Sequence, residues 1–202
     1  YLRLSSCFDL LDYFRRSQRR SGFGFSRSTI LLILVVEEFL MSRIEEYRKL
    51  YEYEKDCNDK MLTMLESVPE ANRTDSRFQQ AVTLADHLAA CRENWLTHMR
   101  GDERDLVAWW DETSDLSTLR PHFAALEEGW TDYLNGLDDT RLAQGFTFSE
   151  GGGRYTLPTE GQVMQLVGHA LYHRGQIALL VDQMGGETVD TDYIYWLVPE
   201  SR

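Results

Sequence analysis

The sequence predicts an all-α protein: a four-helix bundle with a short hairpin or loop before the fourth helix. Three observations predict it. Apolar residues recur at helical spacing in four long stretches, and Pro, Gly and capping residues separate those stretches. Alternation of the strand kind is confined to one short segment around residue 150. A chain of 202 residues, 43% of them hydrophobic, suits one domain with a genuine core.

Residues 1–40 read differently from the rest. "YFRRSQRRSGFGFSRS" is rich in Arg and Ser, and the apolar run "ILLILVV" that follows is far short of the roughly 20 residues that span a bilayer. The order, basic then apolar, is that of a signal peptide, but Glu37 and Glu38 stand where small cleavage-site residues belong. "EEFLM" is also what a purine-rich ribosome-binding sequence would encode if read through ahead of a start codon at Met41. The expectation is that residues 1–40 are a non-native or disordered extension and that residues 41–202 form the bundle.

From Met41 the pattern is helical. Ile44, Tyr47, Leu50, Tyr51, Met61, Leu62, Leu65 and Val68 recur at threes and fours, which gives one long amphipathic helix ending at Pro69. A second helix is expected from "TDSRFQQ", where Ser76 and Gln79 have capping-box spacing, to a stop at Gly101. Its apolar arc holds Phe78, Val82, Ala85, Leu88, Trp95 and Met99. "DERDLVAWWDETSDLS" bridges without clear periodicity. A third helix is expected from about Ser117 to Leu137, with Pro121 tolerated in its first turn. "FTFSEGGGRYTL" alternates on both sides of Glu-Gly-Gly-Gly and reads as a hairpin or ordered loop. Thr159 and Gln162 again have capping-box spacing, opening a fourth helix that runs to Met184 and stops at Gly185 and Gly186. The tail "DTDYIYWLV" is aromatic enough to pack back on the bundle.

Composition excludes several functions. A net charge of −12 argues against a general grip on nucleic acid or anionic lipid, which needs clustered Lys and Arg. Cys7, Cys57 and Cys91 form no CxxC pair, so neither a disulfide framework nor a zinc ribbon is indicated, and a reducing, cytoplasmic setting is the default. "EGGGR" lacks the Lys-Ser/Thr of a phosphate-binding P-loop.

The chemistry lies in "GHALYHRGQIALL". His169 and His173 are four residues apart, about 40° apart around a helix and one turn along it, so both imidazoles reach one point. They fall at the edge of the arc holding Leu166, Ala170, Ile177 and Leu180, where a site between helices belongs. Such a pair is either two metal ligands or two hydrogen-bonded or exposed residues, and a third ligand decides. Of the other histidines, His98 sits at a helix end, where the dipole favours it, and His122 in a first turn, expected to be exposed. Only His87 lies at mid-bundle depth. Cys91, one turn on from His87, reads first as a small buried residue and second as a further ligand.

"HALYHRGQIALLVDQMGG", with "DHLAACRENWLTHMRG" upstream and "DTDYIYWL" at the end, resembles the damage-inducible DinB family and its wider superfamily of thiol S-transferase-like proteins, from about Met41 to Leu197. The resemblance implies a stress-response bundle in which His87, His169 and His173 bind one divalent metal, zinc or nickel. It implies a transferase that uses a low-molecular-weight thiol against a small-molecule electrophile, and it allows a homodimer. Arg174 would then form a surface or interface ion pair, and Gln176 a hydrogen bond behind a ligand. Gln165 faces the same edge. A metal-dependent hydrolase and a non-enzymatic metal-binding protein are the alternatives; the lack of an acidic residue built into HxxxHRGQ favours transfer. Neither nucleic acid nor membrane is an expected partner.

Overall fold

A computed structural model describes residues 42–102 and 105–198, and the expectation for residues 1–40 lies outside them. The four long helices are α1 (Arg43–Ser67), α2 (Ser76–Arg100), α3 (Leu116–Asn135) and α5 (Thr159–Gln183). Between α3 and α5 come the single turn α4 (Asp139–Leu142) and the hairpin β1 (Gly145–Glu150) and β2 (Gly153–Pro158); α6 (Tyr193–Leu197) follows α5. No helix among the described residues is long and apolar enough to cross a membrane.

Local signals explain most boundaries. Ser42 caps α1 by accepting the Glu45 N–H, and the chain leaves the helix at Val68 before Pro69. Gly101 ends α2 at φ 72°, the left-handed conformation that only glycine adopts without strain. Neither expected capping box forms. Asp75, one residue earlier than Ser76, caps α2 through the Arg77 N–H, which leaves Gln79 to donate to the Glu112 and Ser114 carbonyls. Pro158 stands at the cap of α5 with no side-chain bond, because Gln162 is buried in the bundle instead of turning back. The hairpin is antiparallel, pairing Phe146 with Leu157 and Phe148 with Tyr155, and its two-residue turn is Gly151-Gly152, both at positive φ. The tail does return: Tyr193 and Trp196 pack on Tyr53 at 5.0 and 5.9 Å, and the Tyr53 hydroxyl donates to the Thr191 carbonyl at 2.7 Å.

The core is divided along the bundle. One apolar half is built from Met61, Leu65, Leu84, Leu88, Phe123 and Ile177 with their neighbours. The other is built from Tyr51, Leu96, Trp130, Leu134, Val163 and Leu166. Polar side chains lie between the two. Glu54 of α1 accepts from Arg92 of α2 at 2.9 Å and takes a two-point fork from Arg174 of α5 at 2.6 and 3.0 Å. Asn58 Oδ1 accepts from both guanidinium groups at 3.3 and 3.5 Å. All four residues are at most 2% exposed, so the expectation of a surface or interface pair for Arg174 is corrected: its partner is the core carboxylate of another helix. Burial works against the Arg174 charge, but the bonds to Glu54 outweigh it and raise the pKa; burial lowers that of Arg92.

Glu54→Ala strands two buried guanidinium groups and is expected to cost about 3–5 kcal/mol, read as a lower urea midpoint. An unchanged midpoint is incompatible with this clamp.

Candidate metal centre

The polar layer reaches the edge of the bundle where α2 and α5 pack together. There the structure brings together the three histidines of the sequence reading. His87 comes from α2, and His169 and His173 from successive turns of α5. The Nε2 atoms of His87 and His169 are 3.3 Å apart. The His173 ring centroid is 5.1 Å from that of His87 and 4.6 Å from that of His169. The tightest set of donor atoms is not that triad, however. His87, Cys91 and His169 offer atoms all within 4.8 Å of one another, and His173 stands one step outside. The Cys91 Sγ lies 3.5 and 3.6 Å from the two ring nitrogens of His87.

Hydrogen bonds set which nitrogen faces inward. His87 Nδ1 donates to the Trp109 carbonyl at 2.6 Å, and His173 Nδ1 donates to Gln176 Oε1 at 2.7 Å. In each ring the outward nitrogen carries the proton, so Nε2 keeps a free lone pair, the arrangement typical of metal-binding imidazoles. Two nitrogens at the ~2.0–2.1 Å zinc distance stand about 3.3–3.4 Å apart in a tetrahedron, which the His87–His169 separation matches. The residues therefore fit a divalent ion of the borderline class. Burial lowers the pKa of His87, and burial together with His173, His87 and Arg92 takes His169 down to about 4. Burial pushes the Cys91 thiol up to about 11. At neutral pH the cluster is thus two uncharged imidazoles and a thiol beside His173.

The segment between α2 and α3 covers this cluster. Asn94, fully buried, grips the Val107 backbone from both sides, donating to its carbonyl at 3.0 Å and accepting its N–H at 2.9 Å. That grip carries Trp109 to His87 and lays the Trp110 ring flat on the imidazole, 3.6 Å away and 6° from parallel. The hairpin holds the same segment from outside, Glu150 accepting the Trp109 indole N–H at 3.0 Å, and is itself seated on α2, where Phe148 packs edge-on to Trp95.

The remaining expectations divide. Gln176 stands behind His173 as expected. Gln165 is exposed and takes no part. His98 ends α2 as expected but is buried against Phe148 at 4.4 Å. His122, expected to be exposed, is half-buried and paired with Glu93 at 2.9 Å. Sequence reasoning missed Asn94, Trp109 and Trp110, because an aperiodic segment carries no signal of which backbone carbonyl it will present. It also missed Glu54, although a signal existed: a carboxylate three residues after Tyr51 and seven before Met61, on the buried arc.

A depressed imidazole pKa makes acid destabilising. The unfolded chain takes up the proton near 6.5, before folded His169 does at about 4, so the metal-free protein is expected to lose stability as pH falls through that window. His169→Asn should flatten this part of the profile of urea midpoint against pH. Identical profiles for the two proteins count against a buried neutral His169.

A family model, that of the DinB family, matches residues 41–200. No curated protein and no solved structure matches the chain. The matched span takes in the four long helices, the hairpin and the helix pair that brings His87 to His169 and His173, and the chain accordingly belongs to the DinB family.

Proposed function

We propose that the protein is a metal-dependent thiol S-transferase-like enzyme in which His87, His169 and His173 bind one zinc or nickel ion. The observation that carries this reading is the meeting of His87 and His169 across two helices, Nε2 to Nε2 at 3.3 Å, with Nδ1 of His87 and of the neighbouring His173 engaged by Trp109 and Gln176. The bound ion would supply the positive charge that lets a low-molecular-weight thiol react as thiolate at neutral pH.

The chain's own residues account for the rest. Trp110 shields one face of His87 from water while leaving half its own surface, 52%, exposed beside the cluster. Tyr172, whose ring is 5.0 Å from that of His173, gives a second exposed aromatic edge. An apolar, small-molecule electrophile suits such a rim better than a charged one. Transfer is favoured over hydrolysis because no carboxylate belongs to the donor cluster among the described residues, so a base to activate water is missing from it.

The test is metal content per chain by elemental mass spectrometry, on protein purified without a histidine tag. Wild type is expected to hold about one ion, with His87→Ala, His169→Ala and His173→Ala each losing it while circular dichroism stays helical. Gln176→Leu should keep the ion but weaken its affinity about 10- to 100-fold, since it removes only the bond that orients His173. Wild type that takes up no ion on reconstitution would sink the proposal.

A further inference from the structure

We propose that the Cys91 thiolate is the fourth ligand of this site, so that the chain itself closes the coordination position three histidines leave open. The inference rests on the metal reading above and goes beyond it, because it makes the resting site a set of four protein donors, three nitrogens and one sulfur.

Three observations converge on Cys91. The first is placement: His87 and Cys91 stand at i and i+4 on α2, as His169 and His173 do on α5, and the two helices pack together. Each helix therefore presents two donor side chains one turn apart to the same seam, with His173 just outside the tightest set. In a tetrahedron with the ~2.3 Å zinc–sulfur and ~2.0–2.1 Å zinc–nitrogen distances, sulfur and nitrogen stand about 3.6 Å apart. Sγ and His87 Nε2 are 3.5 Å apart. Sγ rests beside the ring, nearly equidistant from both nitrogens.

The second is partnership. Cys57 is also buried, but it sits against the Thr191 carbonyl at 3.8 Å, away from the cluster. Cys91, 5% exposed, has only the His87 nitrogens as polar partners among the described residues.

The third is charge. Three neutral imidazoles bring no negative charge to a dication, and the carboxylate of the polar layer beneath, Glu54, is already engaged by Arg92 and Arg174. No Asp or Glu among the described residues belongs to the donor set. Cys91 is the cluster member that becomes an anion on losing a proton, and a coordinating thiol does lose it. A sulfur donor also selects zinc-like ions against magnesium, calcium and manganese. An outside donor would then reach the ion only where Cys91 withdraws.

Cobalt(II) is the probe, added to the intact metal-free chain and followed by absorption spectroscopy. Wild type is expected to bind one cobalt and show both the intense visible bands of four-coordination and a near-ultraviolet thiolate-to-cobalt band. Cys91→Ser should retain cobalt at about tenfold or more weaker affinity and lose the thiolate band, whereas Cys57→Ala keeps it. The wild-type spectrum decides even where a variant fails to fold. Cobalt bound without the thiolate band, or a band that survives in Cys91→Ser, overturns this inference alone. A wild-type chain that binds no cobalt overturns it together with the metal reading.

Discussion

The fold turns on one buried carboxylate. Glu54 lies where the apolar core is interrupted and joins α1 to Arg92 of α2 and Arg174 of α5. Ion pairs of this kind often add little net stability over a well-packed apolar layer, because desolvation offsets the Coulomb attraction. Their effect is on register. Leu and Met tolerate a sliding neighbour, whereas a two-point fork has one arrangement, and displacing it by a turn leaves three charges in a medium that cannot solvate them.

The register set by Glu54 is also that of the histidines. Arg92 follows Cys91 and Arg174 follows His173 in the chain, so the residues that clamp the helices together are the neighbours of those that line the cluster. Fixing the two guanidinium groups on one carboxylate fixes the facing turns of α2 and α5. On the outer side the arrangement is completed by backbone. Asn94 holds the α2–α3 segment at Val107, the hairpin holds it at Trp109 through Glu150, and the segment presents a carbonyl to His87. The hairpin thus contributes as a brace for the covering segment, and it donates no atom to the cluster.

Electrostatics within this frame are uneven. The chain as a whole is acidic, yet Arg92 of the layer beneath the histidines acts to lower the pKa of His169. Neutral imidazoles in such surroundings hold a cation best when an anionic donor joins them.

Much of this was legible in the chain. Helical spacing, Pro69, Gly101 and Gly185 determined four long helices and their ends, because periodicity and backbone stereochemistry are local properties. The i, i+4 spacing of His169 and His173 put both on one face of the fourth helix, and mid-helix depth singled out His87, for the same reason. Caps were legible only to within a residue: Asp75 and Ser76 both offer an oxygen, and the difference is settled by where the helix docks. Tertiary structure alone decided that Arg174 turns inward to Glu54, that His87 and its neighbour Cys91 meet His169, and that a carbonyl of an aperiodic segment orients the His87 ring. Those three meetings join side chains and backbone across 120, 82 and 22 positions of sequence separation respectively, and no local pattern encodes which partners will meet over such distances.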